Sequence, residues 1–65
     1  MLIEISMREG RDEEQKSRVA ARMTDVVVEE IGAVRERVIV VIREYPTTNY
    51  AQGGITLAEE ARKAS

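Results

Sequence analysis

Along residues 1–8 apolar and polar side chains alternate. Met1, Ile3, Ile5 and Met7 fall on one face and Glu4, Ser6 and Arg8 on the other, with Leu2 interrupting the polar side. This period of two predicts a strand. Asp12 then stands where an N-cap belongs, and Gln15, three residues on, completes a capping-box pattern. Glu13 and Glu14 place negative charge in the first turn, where the helix dipole favours it. A helix is expected from this point. Val19, Met23, Val26, Val27 and Ile31 follow at helical spacing as one apolar stripe, and Gly32 is suited to end the helix.

The run Val38-Ile39-Val40-Val41-Ile42 is β-branched throughout and bounded by charges, which predicts a parallel strand covered on both faces. Strand, helix and strand in this order make a βαβ unit, an α/β fold whose crossover is right-handed in nearly all cases. Pro46-Thr47-Thr48-Asn49 is turn chemistry, and Gly53-Gly54 invites a tight reversal within a short C-terminal hairpin. The tail, residues 57–65, is polar and alanine-rich and reads as a short helical turn or a frayed arm.

Size sharpens the picture. Sixty-five residues make a single domain, 1–65, and a domain this small buries only about 60% of the surface its unfolded chain exposes. Two strands and one helix also leave an apolar sheet face bare, so the chain needs further strands or a partner surface. There is no cysteine and no histidine, which argues against disulfide and metal staples and leaves oligomerisation as the way to stabilise the core. The net charge of −2 comes from interspersed acidic and basic residues, so nucleic acid is not an expected partner. No stretch approaches the roughly 20 apolar residues of a membrane span, and no signal-peptide pattern opens the sequence. A cytoplasmic protein is expected.

Two arginines stand out. Arg11 lies immediately before the predicted helix N-terminus, where a guanidinium fork and free backbone N–H groups together suit a carboxylate. Arg8 ends the first strand nearby. Two neighbouring cations favour an anion between them, which points to an acidic substrate; the alternative is solvated pairing with Glu9, Glu13 or Glu14.

The segment Met7-Arg8-Glu9-Gly10-Arg11 followed by Asp12-Glu13-Glu14-Gln15-Lys16, with Asn49-Tyr50-Ala51-Gln52-Gly53-Gly54 later, resembles the 4-oxalocrotonate tautomerase family over nearly the whole length without a gap. The resemblance implies dimers of βαβ units assembled as a trimer of dimers. It further implies a proton-transferring N-terminal proline, an arginine at Arg11 that binds substrate carboxylate and polarises the enolate, and an aromatic wall at Tyr50. The family's proline falls on Met1, whose α-amino group is a primary amine. A second family arginine falls on Ile39; Arg37, two residues earlier, is placed by strand alternation on the same face.

Residues 7–16 and Val41-Ile42-Arg43-Glu44 resemble still more closely the α-type chain of the heterohexameric trans-3-chloroacrylic acid dehalogenases. There, two arginines matching Arg8 and Arg11 bind the substrate carboxylate and a glutamate activates water. That glutamate position is Gln52 here, and a neutral amide is no general base. The expectation is therefore an α-type subunit of a heterohexameric 4-oxalocrotonate tautomerase acting on unsaturated 2-hydroxy dicarboxylates. Arg11 and Arg8 would hold the substrate, Tyr50 and Gln52 would line the pocket, and a Pro-initiated β-type partner would supply the base. No cofactor is required, since carbonyl conjugation acidifies the proton. The alternatives are a subunit of a 3-haloacrylate dehalogenase or hydratase, and a non-catalytic homo-oligomer.

Overall fold

In the computed structural model, which describes residues 1–64, strand β1 (Leu2–Arg8) leads into helix α1 (Glu13–Ile31) and returns as strand β2 (Ile39–Tyr45). β1 and β2 pair in parallel, with register Leu2↔Ile39 through Arg8↔Tyr45, which gives the expected βαβ unit. A short antiparallel hairpin follows, β3 (Ala51–Gln52) with β4 (Ile55–Thr56), and helix α2 (Leu57–Ala64) closes the chain. No helix among the described residues is long and apolar enough to cross a membrane.

The local chemistry explains where each element starts and stops. Asp12 caps α1 by accepting the Gln15 backbone N–H at 2.7 Å, while the Gln15 side chain accepts the Asp12 N–H at 3.1 Å; both halves of the capping box are present. Gly32 ends the helix at φ 72°, a left-handed conformation that favours glycine. Gly53 and Gly54, at φ 63° and 82°, supply the two positive dihedrals that a two-residue hairpin turn needs. The tail is a helix of 8 residues because Thr56 and Glu59 form a second capping box. The Glu59 N–H donates to Thr56 Oγ1 at 3.1 Å, and the Thr56 N–H donates to Glu59 Oε1 at 3.4 Å. The Thr56-Leu57-Ala58-Glu59 pattern carries that signal in the sequence.

Three expectations change. β2 begins at Ile39 and runs to Tyr45, because Val38 closes a 3-10 turn over Arg35–Arg37 and because β1 offers pairing partners as far as Arg8. Nor is β2 covered on both faces. Ile3, Ile5, Val40 and Ile42 are half-buried on the face under α1, but Leu2 and Ile39 on the open face are 57% and 58% exposed.

The apolar stripe of α1 also divides. Met23 and Val27 are half-buried with Ala20 and Val28, while Val19 and Val26 lie about 100° round the helix and are exposed. Ile31 follows the covered line but is exposed as well. Nineteen helical residues reach about 28 Å, whereas seven strand residues reach about 23 Å, so the last turn overhangs the sheet. An ion pair from Lys16 to Glu44 at 2.7 Å ties the other end of the helix to β2.

Among the described residues none is fully buried. The chain exposes 5143 Å², against about 4,200 Å² for a compact monomer of this mass. Its radius of gyration is 15.6 Å, where about 11 Å is usual. The excess has a location: the hairpin and α2 project as an arm, and the sheet face opposite α1 is uncovered.

Candidate functional site

The parallel register decides which side chains are neighbours. On the face away from α1, Leu2 stands beside Ile39, Glu4 beside Val41, Ser6 beside Arg43 and Arg8 beside Tyr45. Glu4 and Arg43 form an ion pair at 3.6 Å, which satisfies the charges in the middle of this open face. Arg8 therefore lies at the C-terminal end of the sheet, next to Tyr45. The Tyr45 ring stacks on Tyr50, with centroids 5.7 Å apart and planes 4° from parallel. Tyr50 is held in turn through its carbonyl, which accepts the Leu57 N–H at 2.9 Å. Arg8 lines an open hollow of about 390 Å³ with Thr47, Leu57, Glu60 and Ala61.

Arg11 faces elsewhere. Gly10, at φ 124°, turns the chain out of β1, and Arg11 then lines a separate groove of about 350 Å³ with Gln15, Arg18, Val19 and Arg22. Within one chain the two arginines are thus not brought to one cavity. Neither is paired with Glu9, Glu13 or Glu14; Glu14 is taken by Arg18, four residues along the helix, at 2.8 Å. Both guanidinium groups stay available to an external anion.

Met1 is at the far end. Its amine donates to the Arg37 carbonyl at 3.2 Å, and its own carbonyl accepts the Ile39 N–H at 2.8 Å. The length of β1 places it about 23 Å from Arg8. Arg37 belongs to the 3-10 turn rather than to β2, so the strand alternation that related it to Ile39 does not apply. Gln52 is exposed in β3, in register with Ile55. Sequence reading missed Tyr45, which becomes a neighbour of Arg8 only once the strands are paired. Arg18 and Arg22 were missed too, although their spacing of seven and eleven residues from Arg11 is a legible helical pattern.

Chemically, the described residues offer guanidinium groups unpaired among themselves and a stacked tyrosine pair at one end of the sheet, and an amine at the other. No single chain unites them. Comparison with known proteins gives the family. The family model described as Tautomerase enzyme matches residues 2–60. A probable tautomerase of Bacillus cereus is 40% identical over 58 residues, covering 89% of this chain and 95% of that protein. The 2-hydroxymuconate tautomerase of Comamonas testosteroni is 39% identical over 59 residues, covering 91% and 94%. A solved heterohexamer 4-oxalocrotonate tautomerase from Chloroflexus aurantiacus superposes with a TM-score of 0.85 at 34% identity, covering 91% of this chain and 95% of that one. On this evidence of sequence and fold, the chain belongs to the tautomerase enzyme family and is 4-oxalocrotonate tautomerase-like.

Proposed function

We propose that the chain is an α-type subunit of a heterohexameric 4-oxalocrotonate-type tautomerase, which ketonises unsaturated 2-hydroxy dicarboxylates with a base supplied by a Pro-initiated companion chain. What supports this reading is an available Arg11 together with a methionine where the resemblance puts the family's proline; the only proline of the sequence is Pro46. The separation of Met1 from the arginines supports it further. A site that needs both a base and a guanidinium within reach of one small substrate has to be assembled from different subunits, and those subunits need not be identical.

In this mechanism Arg11, assisted by Arg8, binds the substrate carboxylate and stabilises the charge that develops on the dienolate as the proton leaves. Tyr50, braced by Tyr45, walls the pocket. The companion's proline nitrogen removes a proton from the 2-hydroxy group and returns it to carbon. Gln52 favours tautomerisation over hydration or hydrolytic dehalogenation, because a neutral amide cannot activate water as a general base.

The test is reconstitution. The chain purified alone is expected to show little activity toward 2-hydroxymuconate, and activity should appear on mixing with a homologous Pro-initiated chain. Replacing the companion's proline with alanine should then remove most of it. Strong activity from the isolated chain that is lost on N-terminal acetylation would instead make the Met1 amine the base and overturn the two-chain reading.

A further inference from the structure

The first two turns of α1 rest on the molecule at one point. From Arg11 to Val19 every residue is exposed except Lys16, and the next half-buried position of the helix is Ala20. Between Glu13 and Ala20 the axis rises about 10 Å, so without Lys16 about two turns of helix lack a covered contact. The Lys16 ammonium donates to Glu44 Oε1 at 2.7 Å, with the two side chains only 32% and 28% exposed. Arg18 pairs with Glu14 inside the helix and Arg35 with Asp25 near its C-terminal end, so neither of those pairs ties the first turns to a strand.

Arg11 is joined to that anchor through local hydrogen bonds. The Lys16 N–H donates to the Asp12 carbonyl at 3.2 Å, and Asp12 exchanges two further bonds with Gln15, so a closed turn follows Arg11 directly. On the other side Gly10, at φ 124° with nothing within 4 Å of where a Cβ would lie, gives no lateral support. Glu44 precedes Tyr45 in β2, and Tyr45 stacks on Tyr50. We propose that Lys16 is a positioning residue: its ion pair with Glu44 locks Arg11 and the tyrosine pair into one frame, so that guanidinium and rings keep a fixed separation. This rests on the proposed function in taking Arg11 as the group that meets the substrate's charge. Such a clamp matters because a displacement of about 1 Å in a charge-stabilising group can lower the rate by about 10²-fold.

The test separates positioning from stability. In the reconstituted enzyme Lys16→Ala should lower kcat/KM for 2-hydroxymuconate roughly tenfold, and Lys16→Arg should recover most of it. Alanine favours the helix, so circular dichroism should find α1 intact. Because Lys16 acts through Arg11, the same substitution in an Arg11→Ala background should cost nothing more. Backbone amide order parameters of residues 11–16 should fall in Lys16→Ala and in Glu44→Ala, with those of residues 23–28 unchanged. Arg35→Ala, which removes the pair with Asp25 at the far end of α1, should leave both readouts as they are. An equal loss of kcat/KM in both backgrounds, or unaltered order at residues 11–16, would overturn the proposal. Order that depends on Lys16 in an assembly without tautomerase activity would defeat the proposed function and leave the clamp standing; tautomerase activity indifferent to Lys16 would do the reverse.

Discussion

Tyr45 and Tyr50 stack nearly parallel, with centroids 5.7 Å apart, and they are the only two aromatic residues of the chain. Tyr45 is fixed by the sheet, where it pairs with Arg8 and its carbonyl accepts the Glu9 N–H at 2.9 Å. Tyr50 sits on a loop and is 38% exposed. The stack therefore transmits the rigidity of β2 to a ring that the hairpin alone would leave loosely held. Such pairs contribute about 1 kcal/mol beyond the area they bury.

Under the proposed function this relationship makes Tyr45 a positioning residue. Tyr45→Ala should reduce the near-ultraviolet circular dichroism by more than the loss of one tyrosine, and should raise KM in the reconstituted enzyme. Tyr45→Phe keeps the ring and should preserve both. An alanine variant whose remaining tyrosine signal and KM match the unaltered protein would show that Tyr50 is positioned without it.

Assembly is expected from the uncovered sheet face. Leu2 and Ile39 are adjacent there and more than half exposed, and the chain displays several hundred Å² more than a compact monomer does. Analytical ultracentrifugation, of the chain alone or with its companion, should find a hexamer-sized species and no dominant monomer at micromolar concentration. Ile39→Asp, which buries a charge in that contact, should shift the distribution to smaller species. A well-folded monomer as the main form would contradict this.

The two arginines should differ in weight. Arg11→Ala is expected to lower turnover of 2-hydroxymuconate in the reconstituted enzyme by roughly 10²-fold, the scale for losing one donor to a developing anion. Arg8→Ala, whose hollow is separate and contains Glu60, should cost less. Steady-state kinetics on the two variants decides it: equal and negligible effects would place both side chains on the solvated surface.

Two backbone devices can be measured by urea denaturation. Asp12→Ala removes the N-cap of α1 and should destabilise the assembly by about 1 kcal/mol per chain. Gly54→Ala meets nothing within 4 Å of the added Cβ, so any cost is that of holding an alanine at φ 82°, about 1–2 kcal/mol. An unchanged midpoint for Gly54→Ala would show that the turn relaxes to a conformation alanine accepts.

Sequence alone determined whatever is settled within a few residues. The capping box at Asp12 and Gln15, the glycine that ends α1, the turn at Gly53 and Gly54 and the alternation of β1 are local, because each depends on dihedral preferences and hydrogen bonds between near neighbours. The motif around Arg11 was legible for the same reason, being contiguous. Tertiary structure decided what depends on register and reach. Pairing Arg8 with Tyr45 created the aromatic stack beside it, and the 3-10 turn before Ile39 removed Arg37 from the strand. The rotation of α1 over a shorter sheet left Val19, Val26 and Ile31 outside the covered face. The length of β1 set Met1 and the arginines at opposite ends of the sheet. No local pattern encodes these, because they arise where two distant segments first meet and the geometry of one fixes the surroundings of the other.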